Sequence, residues 1–344
     1  MTWQDQHPPP VHPPVRSGGV GVLLVNLGTP EAPEPAAVRR YLAEFLSDRR
    51  VVEIPPLVWQ PILRGLVLTT RPKKSAHAYR QVWTEEGSPL AAITRAQAQS
   101  LQKRLGDGVT VDWAMRYGAP SIPDRLEALF KAGCERILFA PLYPQFCSAT
   151  TATAVDKAGD WLRTQRWQPV LRTLPPYHDD PLHIRALAAH LGAQLNALDF
   201  EPEVLLFSFH GMPERTLHLG DPYHCQCRKT ARLLEAAMAQ DLNRPGLRFA
   251  TSFQSRFGRA KWLEPATDRV LAEEGARGTR RLAIAAPGFA ADCLETREEL
   301  AIRGREQFMA AGGTQFAALD CLNTSAPGMA MIEALVRREL SGWI

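Results

Sequence analysis

Two groups of ionisable side chains in this sequence have the residue types and the spacing that chemistry requires. His210 follows an apolar run and precedes Gly211, and Asp292, Glu295 and Glu299 lie at i, i+3 and i+7. That spacing places three carboxylates on one face of a helix. An imidazole facing such a row suits a divalent cation with open coordination positions, and it equally suits proton abstraction. Taken alone, His210 could also be a structural histidine, and the row a solvated acidic face near a helix N-terminus.

The elements that would position these groups alternate between short apolar runs and amphipathic segments. This alternation is typical of an α/β fold in which helices cover a parallel sheet. Val20–Asn26 has the apolar composition of a strand buried on both faces. Apolar residues then recur at helical spacing over residues 38–46, which predicts a helix. The other strand candidates are Val109–Ala114, Arg136–Ala140, Val204–Phe209, Leu247–Phe253, Arg281–Ala286 and Gln315–Leu319.

The sequence repeats itself at three places, which occur in the same order in each half. VLLVNLGTPE at residues 22–31 matches VLLFSFHGMPE at 204–214, with His210 as the extra residue of the second copy. An Arg-aromatic-Gly triplet recurs at 116–118 and 256–258, and a third strand candidate in each half leads into a proline. These matches predict two similar Rossmann-like halves, each a parallel sheet flanked by helices. Ligands bind beyond the carboxyl ends of such strands, so we expect the active site in the cleft between the halves.

The same observations divide the chain into four parts. Residues 1–17 hold five prolines and no apolar run, which predicts a disordered tail and is unlike a signal peptide. Residues 18–170 would form the N-terminal α/β half, and residues 171–325 the C-terminal half that carries His210 and Glu295. Residues 326–344 would form a C-terminal helix.

Composition excludes several classes of protein. The 344 residues are 45% hydrophobic and 22% charged, which is ordinary for a globular protein and excludes a fully disordered or collagen-like chain. A net charge of +4 on this length, without a basic tract, argues against nucleic-acid binding. Six scattered cysteines do not form a disulfide framework, so we expect a reducing, cytoplasmic location.

Several common motifs are absent from the sequence. NLGTPE follows the first strand candidate where a dinucleotide-binding protein would have GxGxxG, and neither GxxxxGK[ST] nor GxSxG occurs. Cys225 and Cys227 are separated by one residue, whereas zinc knuckles usually have two between their cysteines. These absences weaken nucleotide, serine-hydrolase and structural-zinc interpretations.

The strand-end segments together resemble the bacterial ferrochelatase family. They are VLLVNLGTPEAP, RYG, FAPLYPQFCSATTATA, FSFHGMPERTLHLGDPYHCQC and PGFAADCLET, and they span roughly residues 20–325. The resemblance implies a chelatase-type fold of two α/β halves around a porphyrin cleft. It also implies that the protein inserts Fe²⁺ into protoporphyrin IX, forms protohaem as the last step of haem synthesis, and releases two protons. Fe²⁺ is then a substrate.

The resemblance also implies roles for individual residues. His210 and Glu295 match the histidine and glutamate that bind the metal and remove the pyrrole protons, and Asp292 and Glu299 match flanking acidic positions. Eight further residues match positions that line the porphyrin pocket or its lip: Arg71, Tyr79, Ser88, Arg116, Tyr117, Gln254, Ser255 and Trp262.

Two departures from the family pattern bear on cofactors and on the site. Some members hold a [2Fe–2S] cluster through cysteines in a C-terminal extension, but this sequence has no cysteine after Cys321. We therefore expect no cluster and no tightly bound cofactor. Cys293 stands where some members have a histidine, which puts that position's part in metal or proton relay in doubt.

Three other functions fit a two-lobed porphyrin cleft. They are a coproporphyrin ferrochelatase, a non-catalytic porphyrin or haem carrier, and a cobalt or nickel chelatase acting on a more polar tetrapyrrole. A carrier needs an axial ligand but no acidic row, so the three carboxylates weigh against it. Apolar residues at 59, 62, 63 and 66 favour a substrate with few carboxylates.

Residues 54–70 (IPPLVWQPILRGLVLTT) are the most apolar long segment. Three prolines, Gln60 and Arg64 interrupt it, so it cannot span a bilayer. We expect it to form a lip that contacts a membrane peripherally and receives a hydrophobic porphyrin. The alternative is a buried helix that packs on the sheet.

Overall fold

The first sheet contains four parallel strands. The computed structural model describes residues 17–242, 244–258 and 260–344, so the expected disordered tail lies, except for Ser17, outside the described residues. From edge to edge the sheet contains β2 (Thr110–Tyr117), β1 (Gly19–Gly28), β3 (Cys134–Pro141) and β4 (Val170–Thr173). The central strand, β1, is buried along nearly all of its length, which explains its continuous apolar run.

The second sheet repeats this arrangement with the same strand order. Its strands are β6 (Arg248–Gln254), β5 (Val204–His210), β7 (Arg281–Ala285) and β8 (Gln315–Ala318), again all parallel. The prediction of two similar α/β halves is therefore confirmed. In the register of the two halves, Gly28 lies opposite Tyr117 and His210 lies opposite Gln254.

Helices of the first half cover its sheet and build one wall of the cleft. Several begin at Pro in the first turn, where a missing N–H costs no hydrogen bond. Two short π-helical segments interrupt the α-helices. In chain order the elements are α1 (Pro35–Ser47), α2 (Pro56–Ile62), π1 (Leu63–Val67), α3 (Leu68–Val82), α4 (Pro89–Leu105), α5 (Ile122–Lys131), π2 (Ser148–Ala152) and α6 (Thr153–Leu162).

The second half has a longer π-helical segment at the corresponding place, after its third strand. Such segments widen the helical turn and are frequent at functional sites. In chain order the elements are α7 (Pro181–Ala197), α8 (Glu214–His218), α9 (Tyr223–Leu242), α10 (Thr267–Arg277), π3 (Glu295–Gly304), α11 (Arg305–Ala310) and α12 (Ala326–Glu339).

The boundary between the halves differs from the expected one. The expected division at residues 170 and 171 falls inside β4, which pairs with β3 and so belongs to the first sheet. The first half therefore extends at least to Thr173. The final helix, α12, packs against α4 and α7 and also contacts β3, so the chain returns to the first half.

The largest hydrophobic cluster joins the two halves into one core. It contains Leu24 and Leu138 from the first sheet together with Leu205 and Phe207 from the second. Helix α7 packs against both α9 and α12, and all three helices contribute side chains to this cluster. The carboxyl ends of both sheets are thereby held in fixed positions around a common cleft.

Candidate active site

A small inner chamber lies where the carboxyl ends of both sheets meet. Its volume is about 100 Å³, and it is lined by tyrosines, by leucines and other apolar side chains, and by a few small polar ones. His210, the last residue of β5, and Glu295, the first residue of π3, both line it. Tyr79 and Ser88, two of the residues that the resemblance assigned to the porphyrin pocket or its lip, line it as well. The structure thus brings two ionisable side chains from separate elements into one enclosed space.

The hydrogen bond of His210 determines which ring nitrogen is free. Its Nδ1 lies 2.7 Å from the carbonyl oxygen of Gly211. A carbonyl only accepts, so Nδ1 carries the proton and donates. In the neutral ring Nε2 then keeps its lone pair, which is the form needed to bind a metal or to accept a proton.

Glycine follows the histidine because a neighbouring strand approaches closely. The backbone N–H of Gly211 donates to the carbonyl of Gln254 at 2.7 Å, and a Cβ on Gly211 would lie 2.5 Å from that oxygen. The equivalent glycine of the first half, Gly28, has a φ of +122°, and its Cβ would lie 2.0 Å from the Tyr117 carbonyl. Each half therefore turns its first strand at a position that excludes a side chain.

Buried tyrosines surround Glu295 and stay protonated. Burial raises the pKa of Tyr41 well above its ordinary value, and the neighbouring Tyr79 and Glu295 raise it further. Burial and then Glu295 raise the pKa of Tyr79 in the same way. These phenols form neutral walls, so proton acceptance in the chamber falls to His210 and Glu295.

The predicted acidic row does not exist as one face. Asp292 precedes π3, is 1% exposed, and accepts hydrogen bonds from Thr296 and Arg297. Glu299 lies outside the chamber, where its two carboxylate oxygens accept from the backbone N–H and the hydroxyl of Ser255 at 2.8 and 2.6 Å. The spacing suggested a regular α-helix beginning before Asp292, but the widened turn starts at Glu295. Only Glu295 reaches the chamber.

A larger outer cavity adjoins the inner chamber. Its volume is about 700 Å³, within the range of small-molecule sites, and its surface is mostly apolar. Met212, two residues after His210, and Ser148, two residues before Thr150, line it, so the same two segments contribute to both spaces. Arg71 and Trp262, which the resemblance assigned to the porphyrin pocket or its lip, line this cavity, and the Arg71 guanidinium lies 4.9 Å from the ring centre of Phe257.

Arg116 and Tyr117, expected in the porphyrin pocket, lie behind its wall. The guanidinium of Arg116 donates to Asp48 and Thr153, and the hydroxyl of Tyr117 donates to Asp48 at 2.9 Å. Burial alone would raise the pKa of Asp48. Hydrogen bonds from Thr153, the Arg50 backbone and Tyr117, together with the charge of Arg116, lower it overall. Because these donors are already used, the pair supports the wall rather than contacting a ligand.

Gln254 and Ser255 line a third, polar cavity beside the outer one. Its volume is about 360 Å³, and Trp262 separates it from the outer cavity. Gln254 is buried and accepts from Ser208 at 2.6 Å, and Ser255 holds Glu299. Of the three residues expected on this wall, only Trp262 reaches the outer cavity.

Several chamber residues were missed by the sequence analysis. Tyr41 was counted as one of the apolar residues of α1, and helical spacing alone cannot distinguish a core tyrosine from a wall tyrosine. Tyr143 lines the chamber, and its buried hydroxyl has no partner among the described residues. Arg50, which lines the outer cavity, follows the first helix without any motif. The PLYPQF segment that contains Tyr143 was a usable signal, because it follows a strand end.

The described residues form no ready-made metal centre. No three His, Cys, Asp or Glu side chains in these ranges converge closely enough to hold a metal ion. Cys225 is exposed while Cys227 is buried, so these two do not act as a ligand pair. His210 and Glu295 can supply only part of a coordination shell, which suits a metal ion that passes through.

Comparisons with known proteins agree with this geometry. The family model described as Ferrochelatase matches residues 19–340. A protein named ferrochelatase from Rhizobium meliloti is 53% identical over 97% of this chain and 98% of its own, and one from Agrobacterium fabrum is 51% identical over 98% of both. A structure of SirB from Bacillus subtilis with Fe³⁺ superimposes with a TM-score of 0.56 at 13% identity, covering 94% and 96% of the two chains. That likeness concerns the fold alone, whereas the family match spans both halves and the whole site: the chain belongs to the ferrochelatase family.

Proposed function

We propose that this protein inserts Fe²⁺ into protoporphyrin IX to form protohaem, with release of two protons. The observation that carries the proposal is the convergence of His210 and Glu295, from the ends of two different elements, in one chamber beside a large apolar cavity. The family membership supports the same reaction. Fe²⁺ is a substrate in this proposal, and no tightly bound cofactor takes part.

The chamber supplies what the reaction needs. A flat porphyrin holds its nitrogen lone pairs in the ring plane, so a bent ring accepts the metal faster. Apolar walls around the outer cavity bind the macrocycle, and this remote binding energy can offset the cost of bending it. The Nε2 atom of His210 and the carboxylate of Glu295 are the two groups available for metal contact and for the two pyrrole protons. The neutral tyrosines exclude water around them.

The charges of the outer cavity favour a porphyrin with few carboxylates over coproporphyrin. Three arginines line this cavity, but Arg50 is paired with Asp156 and Arg215 with Glu53. Arg71 has no acidic partner among the described residues. One unpaired guanidinium suits the two propionates of protoporphyrin better than the four propionates of coproporphyrin. The steady-state preference between the two porphyrins tests this directly, and a higher kcat/KM for coproporphyrin would reverse the assignment.

Replacement of His210 tests the proposed reaction. We expect His210→Ala to lower the rate of Fe²⁺ insertion by about 10²–10⁴-fold, because acid–base groups contribute that much. Porphyrin binding, followed by fluorescence titration, should change little. His218→Ala, at an exposed histidine of α8, is the matched control and should keep the wild-type rate. A wild-type protein that binds porphyrin without inserting iron would instead favour the carrier.

We also propose that the lip over residues 54–70 rests on a membrane surface. No helix in the described ranges is long and apolar enough to cross one. Leu57, Val58, Ile62 and Leu66 are 92, 56, 41 and 61% exposed, and such a concentrated apolar patch is typical of an interaction site. Trp59 and Leu63, also expected at the lip, point inward instead. The Trp59 indole N–H donates to the Leu46 carbonyl, and Leu63 is fully buried.

Liposome flotation tests the lip. Leu57→Ser combined with Leu66→Ser should reduce flotation, because the pair removes exposed apolar side chains from the lip. The vesicles are anionic, because exposed Lys73 and Lys74 nearby have no acidic partner among the described residues and favour an anionic surface. Val170→Ser combined with Leu219→Ser removes two exposed apolar side chains outside residues 54–70, 58 and 61% exposed, and serves as the control. Equal flotation of both double variants would remove the membrane contact.

A further inference from the structure

Asp292 is a buried carboxylate that the chamber itself does not use. It lies three residues before Glu295, is 1% exposed, and lines none of the cavities described above. Thr296 and Arg297, the second and third residues of π3, donate to it at 2.8 Å each. The carboxylate therefore ties the loop before π3 to the first turn of that helix, which carries Glu295.

Asn323 completes this arrangement from another element. Its side chain makes two hydrogen bonds to Asp292: Nδ2 donates to the carboxylate at 2.6 Å, and Oδ1 accepts from the backbone N–H at 2.8 Å. Asn323 lies after β8 with a φ of +47°, a left-handed conformation that asparagine tolerates better than most residues. The neutral amide donates through its nitrogen and accepts through its oxygen, so it satisfies both groups of Asp292 at once.

The backbone of Asn323 is in turn fixed to the first half. Buried Gln97 of α4 donates through Nε2 to the carbonyl of Asn323 at 2.9 Å and to the carbonyl of Ala290 at 3.1 Å. The N–H of Asn323 donates to the same Ala290 carbonyl. Ser88, which precedes α4, lines the chamber. Helix α4 thus begins directly after a residue of the chamber wall, Ser88, and further along carries Gln97, which holds the backbone of Asn323.

We propose that Asn323 is a positioning residue for Glu295, which it holds in the chamber by bracketing Asp292 and thereby the start of π3. The inference rests on the proposed role of Glu295 in iron insertion. Asn323 touches no reacting atom. It fixes the carboxylate of Glu295 relative to His210, because it binds both the carboxylate and the backbone N–H of Asp292. Arg297 binds only the carboxylate and is 43% exposed.

Removal of the amide tests the positioning role. We expect Asn323→Ala to lower kcat by roughly 10- to 100-fold, since a displacement of about 1 Å at a reacting group has effects of that size. The Kd for porphyrin, measured by fluorescence, should stay within about twofold, because the apolar outer cavity is untouched. Arg297→Ala removes the exposed partner of the same carboxylate and should cost no more than about fivefold. Equal effects of the two substitutions on kcat would overturn the proposal.

A substitution that keeps the shape gives a readout that a purely structural role would not move. In Asn323→Asp the introduced carboxyl group lies against Asp292, and the neighbouring negative charge raises the pKa of the introduced group. At low pH the protonated carboxyl donates as the amide does. At higher pH both ionise and repel, so we expect kcat relative to wild type to fall about tenfold or more between about pH 6 and about pH 9. The other ionisable groups facing Asp292 are Arg297, Cys293 and Cys321, with Asp320 paired to Arg297.

The outcomes separate this inference from the proposed function. If Glu295→Gln is inactive while Asn323→Asp follows the wild-type pH profile, the positioning role alone is wrong. If Glu295→Gln keeps full activity, the role of Glu295 is wrong and the inference fails with it. Should Asn323→Ala fail to fold, Asn323→Asp compared at the two pH values in folded protein still decides.

Discussion

The two halves have the same topology and turn at equivalent glycines, yet they contribute opposite chemistry to the chamber. Each has a π-helical segment after its third strand, π2 in the first half and π3 in the second. The first half supplies neutral groups, among them Asn26, Thr29, Tyr143 and Thr150. The second half supplies His210 and Glu295. A repeated scaffold therefore positions the walls twice, while the reactive groups come from one copy.

The largest effect should come from replacing the carboxylate that the second half contributes to the chamber, compared with a neutral wall group of the first half. We expect Glu295→Gln to lower kcat for iron insertion by about 100-fold or more, because it removes a charge and a proton acceptor at constant volume. Tyr143→Phe, at the strand end of the first half, should cost less than about tenfold, because its hydroxyl has no partner among the described residues. Parallel steady-state assays measure the ratio. Comparable losses would mean that both halves carry reactive groups.

The glycines test how closely the halves correspond in backbone strain. Gly28→Ala combines a φ of +122° with a Cβ 2.0 Å from a carbonyl, whereas Gly211→Ala has only the contact at 2.5 Å. We expect about 3 kcal/mol of destabilisation for Gly28→Ala and about half as much for Gly211→Ala. Thermal unfolding checks the order, with Gly65→Ala in an open position as the control. If the Gly28→Ala variant unfolded at a higher temperature than the Gly211→Ala variant, the expected order would be wrong.

Paired carboxylates give a smaller difference between the halves, in how much each stabilises the fold and in how that stability depends on pH. In the first half the pKa of Asp48 is lowered, and in the second the pKa of Glu274 is lowered, chiefly by its hydrogen bond from Arg248. A depressed folded-state pKa stabilises the protein above the unfolded-state pKa, near 4, and this stability is lost as the pH falls through the folded value. Asp48 and its partner Arg116 are each 11% exposed, whereas Arg248 is 52% exposed and more screened.

Asp48→Asn should therefore remove about 2 kcal/mol at pH 7 and Glu274→Gln about 1 kcal/mol. Both variants should lose less stability than the wild type between pH 7 and pH 3. Unfolding midpoints at the two pH values provide the measurement. An unchanged acid dependence in Asp48→Asn would show that its carboxylate is not held in the ionised form by its neighbours.

The smallest effect on activity should come from the acidic residues of π3 that face away from the chamber. Glu298 is paired with Arg303 at 2.9 Å, and Glu299 with Ser255. We expect Glu298→Gln and Glu299→Gln to keep kcat within about fivefold of wild type, since neither reaches the chamber. Assays beside Glu295→Gln test this. If Glu299→Gln lowered kcat as much as Glu295→Gln does, the prediction of one functional row of carboxylates would be right after all.

Sequence reasoning predicted the two halves because long buried strands such as β1 and β5 leave continuous apolar runs. It missed β4, since only four residues pair there and Val170 is 58% exposed. Short edge strands carry little hydrophobic signal. The family resemblance was confirmed by the match over residues 19–340.

The site was harder to predict than the fold. His210 could be located because it interrupts the repeat at a strand end. The orientation of the Asp292 side chain could not be predicted, because it depends on a hydrogen bond from Asn323, which lies 31 positions away in sequence. The resemblance placed Arg116 in the pocket, and nothing in the sequence shows that Asp48, 68 positions earlier, accepts a hydrogen bond from its guanidinium.

The return of α12 to the first half has a consequence for how the protein is made. Ile332, Leu335 and Val336 of this helix pack around Leu24 and Leu142, which emerge from the ribosome roughly three hundred and two hundred residues earlier. Each such buried side chain contributes about 2 kcal/mol, so the first sheet lacks much of its cover during most of translation. Nascent chains expose apolar surface of this kind to chaperones and to aggregation. The half that is synthesised first should therefore be the last to become fully native.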